Sequence, residues 1–175
     1  MLSKEKLLDL FHQLDEQLRA RGEIGEVGVV GGSAMCLVFD ARRSTKDVDA
    51  VFKPTSVIRA IAARIAEAED LPRDWLNDAA KGFIEGTFDR VMILSLANLR
   101  VWAPEAKYLL AMKCLSARWD ASDKDDVLFL IQHLKLTQVQ SVFKIIEGYF
   151  PKNRIPPKTQ YFLEEAMEKK DRRKK

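Results

Sequence analysis

The segment Val29–Phe52, VVGGSAMCLVFDARRSTKDVDAVF, decides how the chain reads. One apolar run ends in a glycine pair, Gly31 and Gly32. The next is punctuated by two aspartates, Asp47 and Asp49. Apolar runs usually exclude charge, so a carboxylate pair inside one needs a partner or a function. VGVVGG (Val27–Gly32) predicts a short buried strand, β-branched, uncharged and stopped by glycines. SAMCLVFDA suits a short helix packed behind it, RRSTKD a polar turn, and DVDAVF a second strand.

Side chains alternate across a strand, which puts Asp47 and Asp49 on one face. The strand rise sets their Cβ atoms about 6.5–7 Å apart. Carboxylates at that spacing repel each other unless a cation sits between them. Mg²⁺, or Mn²⁺ in its place, favours hard oxygen ligands: one or two carboxylates from protein, the rest from waters and substrate phosphates. Two such ions about 3.5–4 Å apart can hold the attacking and leaving oxygens of an in-line displacement. Gly31, Gly32 and Ser33 fit the same chemistry. Glycines let a phosphate approach the backbone, helix-start amides favour anions, and the Ser33 hydroxyl adds a donor. Arg43 or Lys46 would neutralise further charge on a triphosphate. A glycine turn before a helix is common, and an Asp-x-Asp at a strand start can serve as a cap. The combination, in this order, carries the signal.

Outward from this segment, Ser3 can cap a helix to about Arg21, with Leu7, Leu8, Leu10, Phe11, Leu14 and Leu18 as its apolar stripe. Thr55 or Ser56 caps a helix reaching about Ala68. Residues 70–89 predict one short helix. RVMILSL and LRVWA predict two strands joined by a tight turn at Ala97-Asn98. Pro104 fits the first turn of a helix, where its missing N–H costs nothing. Helices are then expected near 104–118, 123–135, 138–149 and 157–170. The fold class is therefore α+β. A small mixed sheet of about four strands flanked by helices spans residues 1–103, a helical subdomain spans 104–168, and a basic disordered tail spans 169–175.

The chain has 175 residues, 47% apolar and 31% charged, with a net charge of +3, ordinary values for one globular domain. Much of the positive charge sits in the tail KKDRRKK. A nucleic-acid module would need clustered Lys and Arg on the folded body, and that body is near neutral. Cys36 and Cys114 lie in apolar patterns without ligand spacing and read as free buried thiols. His12 and His133 have no Cys or His companions, which argues against zinc. No stretch reaches the roughly 18–20 apolar residues of a membrane span, and MLSKEKLL lacks the form of a signal peptide. A cytoplasmic protein that avoids membranes is expected. Trp102, Tyr108 and Trp119 could stack on a base but are expected to pack, and Met35 and Met112 to fill core.

GGSA followed by RRSTKDVDAVF resembles the active-site signature of the DNA polymerase beta-like nucleotidyltransferase superfamily. The spacing of Arg43, Thr45, Asp47 and Asp49 is closest to that of the AbiEii-like abortive-infection toxin nucleotidyltransferases and a related uncharacterised bacterial group. YLLAMKCLSARWDASDKDDVLFLIQHL is similar to the lysine helix and aspartate helix of those groups, and RIPPKTQYFLEEAM to the ending of the uncharacterised one. The resemblance covers about residues 25–165. It implies a nucleotidyltransferase fold, Mg²⁺ (or Mn²⁺) on Asp47 and Asp49, and phosphate contacts from Gly31, Gly32, Ser33, Arg43 and Thr45. It also implies nucleotide contact by Lys113, and completion of the site by Asp123 or Asp126, with Asp125 left open by the run DKDD. Catalysis would fall to Asp47, Asp49, Lys113 and Asp126.

The resemblance implies transfer of an NMP from an NTP to tRNA, a protein or a small molecule. A cognate toxin or antitoxin partner and a role in phage defence follow by analogy. Two simpler readings stand beside it. Lys113 could snorkel on the edge of its helix, and Asp123, Asp125 and Asp126 could serve as N-terminal helix charges. Superfamily members place a third carboxylate on a later strand, where LRVWA offers Arg100 and Trp102; Glu85 and Asp89 fall outside it. The competing expectation is therefore a weak or inactive relative that binds nucleotide or a partner in an antitoxin-like role.

Overall fold

Ser3 starts the first helix: its Oγ accepts the Lys6 N–H at 3.2 Å. Helix α1 (Lys4–Ala20) buries Leu7, Leu10, Phe11, Leu14 and Leu18, the expected stripe without Leu8. The structure is a computed structural model that describes residues 1–116 and 121–172, with Phe83 and 169–172 described in backbone only. Trp119 thus lies outside the described residues, as does the end of the basic run, whose first part continues helix α7 (Pro157–Arg172).

The chain forms two compact units. One holds Met1–Glu85 and Asp89–Pro104; the other holds Gly86–Phe88 and the chain from Glu105 onward. The first is built on a five-stranded mixed sheet of order β5-β4-β2-β7-β6. Its strands are β2 (Gly25–Val29), β4 (Val48–Lys53), β5 (Leu76–Asn77), β6 (Arg90–Ser95) and β7 (Leu99–Pro104). Strand β2 runs antiparallel to β4 and parallel to β7, and β6 returns antiparallel to β7. A separate two-stranded ladder joins β1 (Leu2–Ser3) to β3 (Ser44–Thr45). The sheet is thus larger than the four strands expected, because two-residue strands carry no readable periodicity. The single short helix expected in 70–89 is instead β5 followed by a 3₁₀ turn at Ala79–Phe83. Buried Trp75 holds that segment along β4: its Nε1 donates to Ala62 O at 3.0 Å, and its carbonyl accepts Val48 N–H at 2.6 Å.

Pairing register gives the sheet two unlike faces. Val27, Val29, Val48, Ala50, Phe52, Leu99, Val101 and Ala103 share one face and are buried. Leu18 of α1 and Ile58 of α3 (Thr55–Ala68) reach the same face beside Gly25. Pro54 is the N-cap of α3, and the Thr55 hydroxyl donates back to Phe52 O at 3.0 Å instead of capping. The opposite face carries Glu26, Gly28, Asp49, Val51, Lys53, Arg100 and Trp102. Gly28 is required there, because the Trp102 ring lies where a Cβ would project. Trp102 is 4% exposed, and its Nε1 donates to Glu26 Oε1 at 2.7 Å, so it packs as expected.

Pro104 ends β7 opposite Arg90, and α4 (Ala106–Ser116) starts beyond it. The proline therefore closes a strand, not a first helical turn, and Glu105 O accepts the Leu109 N–H at 3.0 Å. The second unit continues with α5 (Ala121–His133), α6 (Val139–Tyr149) and α7. Its core gathers on Tyr108, whose ring lies 4.1 Å from Phe88, 5.1 Å from Tyr149 and 5.7 Å from Phe150. Met35 and Met112 are buried. Both cysteines are free and buried, and burial pushes the Cys114 thiol up to about 12. Among the described residues no helix is long and apolar enough to cross a membrane.

Two glycines give opposite expectations. Gly28→Ala forces a methyl into the Trp102 ring and should destabilise by about 1–3 kcal/mol. Gly148→Ala, on α6 with open space around it, should stabilise by about 0.5–1 kcal/mol. Urea unfolding should move the two midpoints in opposite directions with unchanged slopes.

Candidate active site

The end of β2 is pinned to the start of β4. Past the last paired residues, Val30 N–H donates to Asp49 O at 2.9 Å, which brings the chain from Val30 to Gly32 alongside Asp49. Gly31 then turns with φ +61°, a left-handed conformation that favours glycine. A Cβ at Gly31 would sit 3.2 Å from Asp49 Oδ2, so the carboxylate lies directly against the turn. At Gly32 a Cβ would sit 2.8 Å from Thr45 Oγ1 and 3.2 Å from Arg42 Nη1. The two glycines are thus flanked by a carboxylate on one side and by a hydroxyl and a guanidinium on the other.

Helix α2 (Gly31–Leu37) leaves this turn. Ser33, 1% exposed, donates its hydroxyl to Val30 O at 2.8 Å. That proton is committed to the turn, whereas the sequence reading has it facing a phosphate. Thr45, also buried, donates to Asp47 O at 3.0 Å and so fixes the peptide that carries the first aspartate. Arg43 and Lys46 are exposed. Arg42 is the cation against Gly32, whereas motif spacing points to its neighbour Arg43.

Strand β4 begins at Val48, so Asp47 sits one residue before it rather than inside it. Both aspartates are half-buried and alternate with buried Val48 and Ala50. Burial first, and the charge of Asp49 second, raise the Asp47 carboxyl above the ordinary carboxylate range. Lys46 opposes this and Asp74, in the loop before β5, adds to it. The second of these causes is the repulsion expected between two neighbouring carboxylates. Asn77, paired with Asp49 in register, turns its Oδ1 to Ala79 N–H at 3.0 Å. Among the described residues no three His, Cys, Asp or Glu side chains converge as a metal cluster. On the Asp49 face β7 offers Arg100 and Trp102, and Glu85 and Asp89 are exposed outside the strands.

In the helical unit, Lys113 of α4 does not snorkel. Its side chain is 9% exposed, and Nζ lies 2.5 Å from Asp126 Oδ2 and 3.8 Å from Asp123 Oδ1. Asp126 is 2% exposed, and Asp125 faces solvent. Of the run DKDD, Asp126 faces the lysine and Asp123 lies one turn earlier on the same side. The anion that Lys113 meets in this structure is a carboxylate.

Over residues 5–154 the chain matches the model of a family described as "Nucleotidyltransferase of unknown function (DUF6036)". That match spans most of the chain, and the protein belongs to this family of nucleotidyltransferases. No curated protein and no solved structure gives a significant match.

Two expectations follow. Among the described residues, Asp126→Asn leaves buried Lys113 with the more distant Asp123 and should cost about 3 kcal/mol. Lys113→Met/Asp126→Leu removes both charges and should recover most of that loss in urea unfolding. For Asp47, the raised folded-state pKa means that stability present in acid is lost as pH rises through the carboxylate range. Asp47→Asn should therefore melt above wild type at neutral pH, with the difference closing at acidic pH. Melting curves across that range check the sign.

Proposed function

We propose that the protein is a metal-dependent nucleotidyltransferase that moves an NMP from an NTP to an acceptor hydroxyl. The observation that carries this reading is the placement of Asp49 Oδ2 against Gly31, beside an Asp47 whose acidity is weakened first by burial and second by the Asp49 charge. Two carboxylates that repel each other next to a backbone that allows close approach suit a divalent cation and a phosphate chain together. Asp47 and Asp49 would hold Mg²⁺ or Mn²⁺. When bound, the ion supplies charge stabilisation to the transferring and leaving phosphate oxygens. With only two protein carboxylates, its remaining ligands would be waters and phosphate oxygens.

In the balanced reaction, the acceptor oxygen bonds to the α-phosphorus, the α–β anhydride breaks, and pyrophosphate leaves. The acceptor proton is released. The residues contribute position and electrostatics, which carry most of such chemistry. Gly31 and Gly32 would admit the triphosphate, and Arg42, with exposed Arg43, would balance its charge. Ser33 and Thr45 would act by holding the turn and the Asp47 peptide in place. The reading assigns Lys113, with Asp126 and Asp123, to phosphate contact. Because two carboxylates already surround it, the lysine would have to exchange one of them for a phosphate. The acceptor stands open among tRNA, protein and small molecules. A toxin or phage-defence role in the cytoplasm with a cognate partner belongs to the same proposal.

A second reading is favoured by the absence of a carboxylate at the Arg100 and Trp102 positions of β7. It is a weak or inactive relative that keeps nucleotide or partner binding.

Calorimetry with each NTP, with and without Mg²⁺, tests the first reading. Wild type should bind one or more NTPs only with the metal, and Asp47→Ala/Asp49→Ala should lose that binding by at least about tenfold. Transfer of label from an α-labelled NTP to RNA or protein should follow. Metal-dependent binding without any transfer would support the second reading, and no binding of any NTP would overturn the first.

A further inference from the structure

The sheet face that carries Asp49 also carries cations that the sequence scatters over nearly fifty positions. Lys53 of β4, Glu26 of β2 and Arg100 of β7 lie in one row across three adjacent strands. They line a depression with Ile24, Gly25 and Pro54. Lys53 and Arg100 are exposed, and among the described residues neither has an ion-pair partner. The carboxylate between them is engaged elsewhere. Glu26 Oε1 accepts from Arg90 Nη1 and from Trp102 Nε1, each at 2.7 Å, and the Arg90 guanidinium lies 4.1 Å over the Trp102 ring. The row therefore presents two uncompensated positive charges on strands about 10 Å apart. Along β4, Lys53 is about 13 Å from Asp49 on the same face.

This spacing disfavours one small anion. A single phosphate centred in the depression would face the Glu26 carboxylate, while anions on either side of it each meet a separate cation. That pattern suits a chain with repeating negative charge. Arg presents a planar fork to phosphate, and Lys presents a point charge. Both bind phosphate backbone without reading sequence. We propose that the Lys53–Glu26–Arg100 row is a backbone-binding track for a polynucleotide acceptor, leading a strand toward Asp49 on the same side of the sheet. The track rests on the transferase reading for its direction, but not for its binding chemistry. The folded body is near neutral overall, as expected, and Lys53 and Arg100 are gathered locally on it.

The test measures fluorescence anisotropy of a short labelled single-stranded RNA against full-length protein over a range of salt. Wild type should bind the RNA more tightly than a poly-glutamate peptide of the same length. Lys53→Ser/Arg100→Ser should weaken RNA binding by about tenfold at low salt and flatten the log–log salt slope by about 1.4, two contacts at about 0.7 each. Each single variant, Lys53→Gln or Arg100→Gln, should flatten it by about half as much. Arg64→Ser/Lys144→Ser, which removes equal charge from exposed helix positions of α3 and α6, should leave both quantities unchanged. An unchanged slope in the double variant, equal binding of poly-glutamate, or no RNA binding by wild type would overturn the track. Metal-dependent NTP binding measured on the same samples separates the two ideas. Its retention with no RNA binding removes the track alone; its absence with slope-sensitive RNA binding removes the transferase reading alone.

Discussion

The contact between the Asp49 carboxylate and the Gly31 turn is the constraint from which the rest of the first unit follows. It exists because the β2–β4 ladder continues one bond beyond its paired residues, through Val30 N–H to Asp49 O. It requires a residue without a Cβ at a left-handed φ, and the sequence supplies one. Once that turn is in place, Gly32 meets Thr45, Thr45 holds the Asp47 peptide, and Ser33 ties the start of α2 back to Val30. Every one of these bonds shapes the backbone around the two aspartates, and none of them neutralises the carboxylates. Burial first and the Asp49 charge second still raise the Asp47 carboxyl.

The buried pair in the helical unit follows different physics. Burying Lys113 and Asp126 costs solvation that their mutual attraction only partly returns, so the pair is weak evidence for stability by itself. Its value is directional. A lysine on an apolar face of α4 has few acceptable surroundings, and the aspartates of α5 supply one. The same pair would register α5 against α4.

Much of this was legible in sequence, for identifiable reasons. The strands around Gly31 and Asp49 are legible through β-branched runs and glycine stops, α1 through apolar residues at helical spacing, and α3 through its cap candidates. Short elements were not legible. The two residues of β5 give no periodicity, and Trp75 anchors them by a tertiary hydrogen bond to α3. Pro104 is ambiguous in sequence because a strand end and a helix start tolerate a missing N–H equally well. Asp126 could be picked from DKDD because an apolar register follows it, but only the fold shows which cation it faces. Arg42 and the Lys53–Arg100 row were hidden for a deeper reason. Side chains that converge from different strands leave no local signature, and motif spacing points to Arg43 instead.

The most direct measurement of the central claim is a crystal grown with Mn²⁺ and a non-hydrolysable NTP, read by anomalous scattering at the manganese edge. The account predicts a peak within ligand distance of both Asp47 and Asp49, with phosphate oxygens completing the shell beside Gly31. Manganese absent from those carboxylates, with the nucleotide bound elsewhere or not at all, would contradict it.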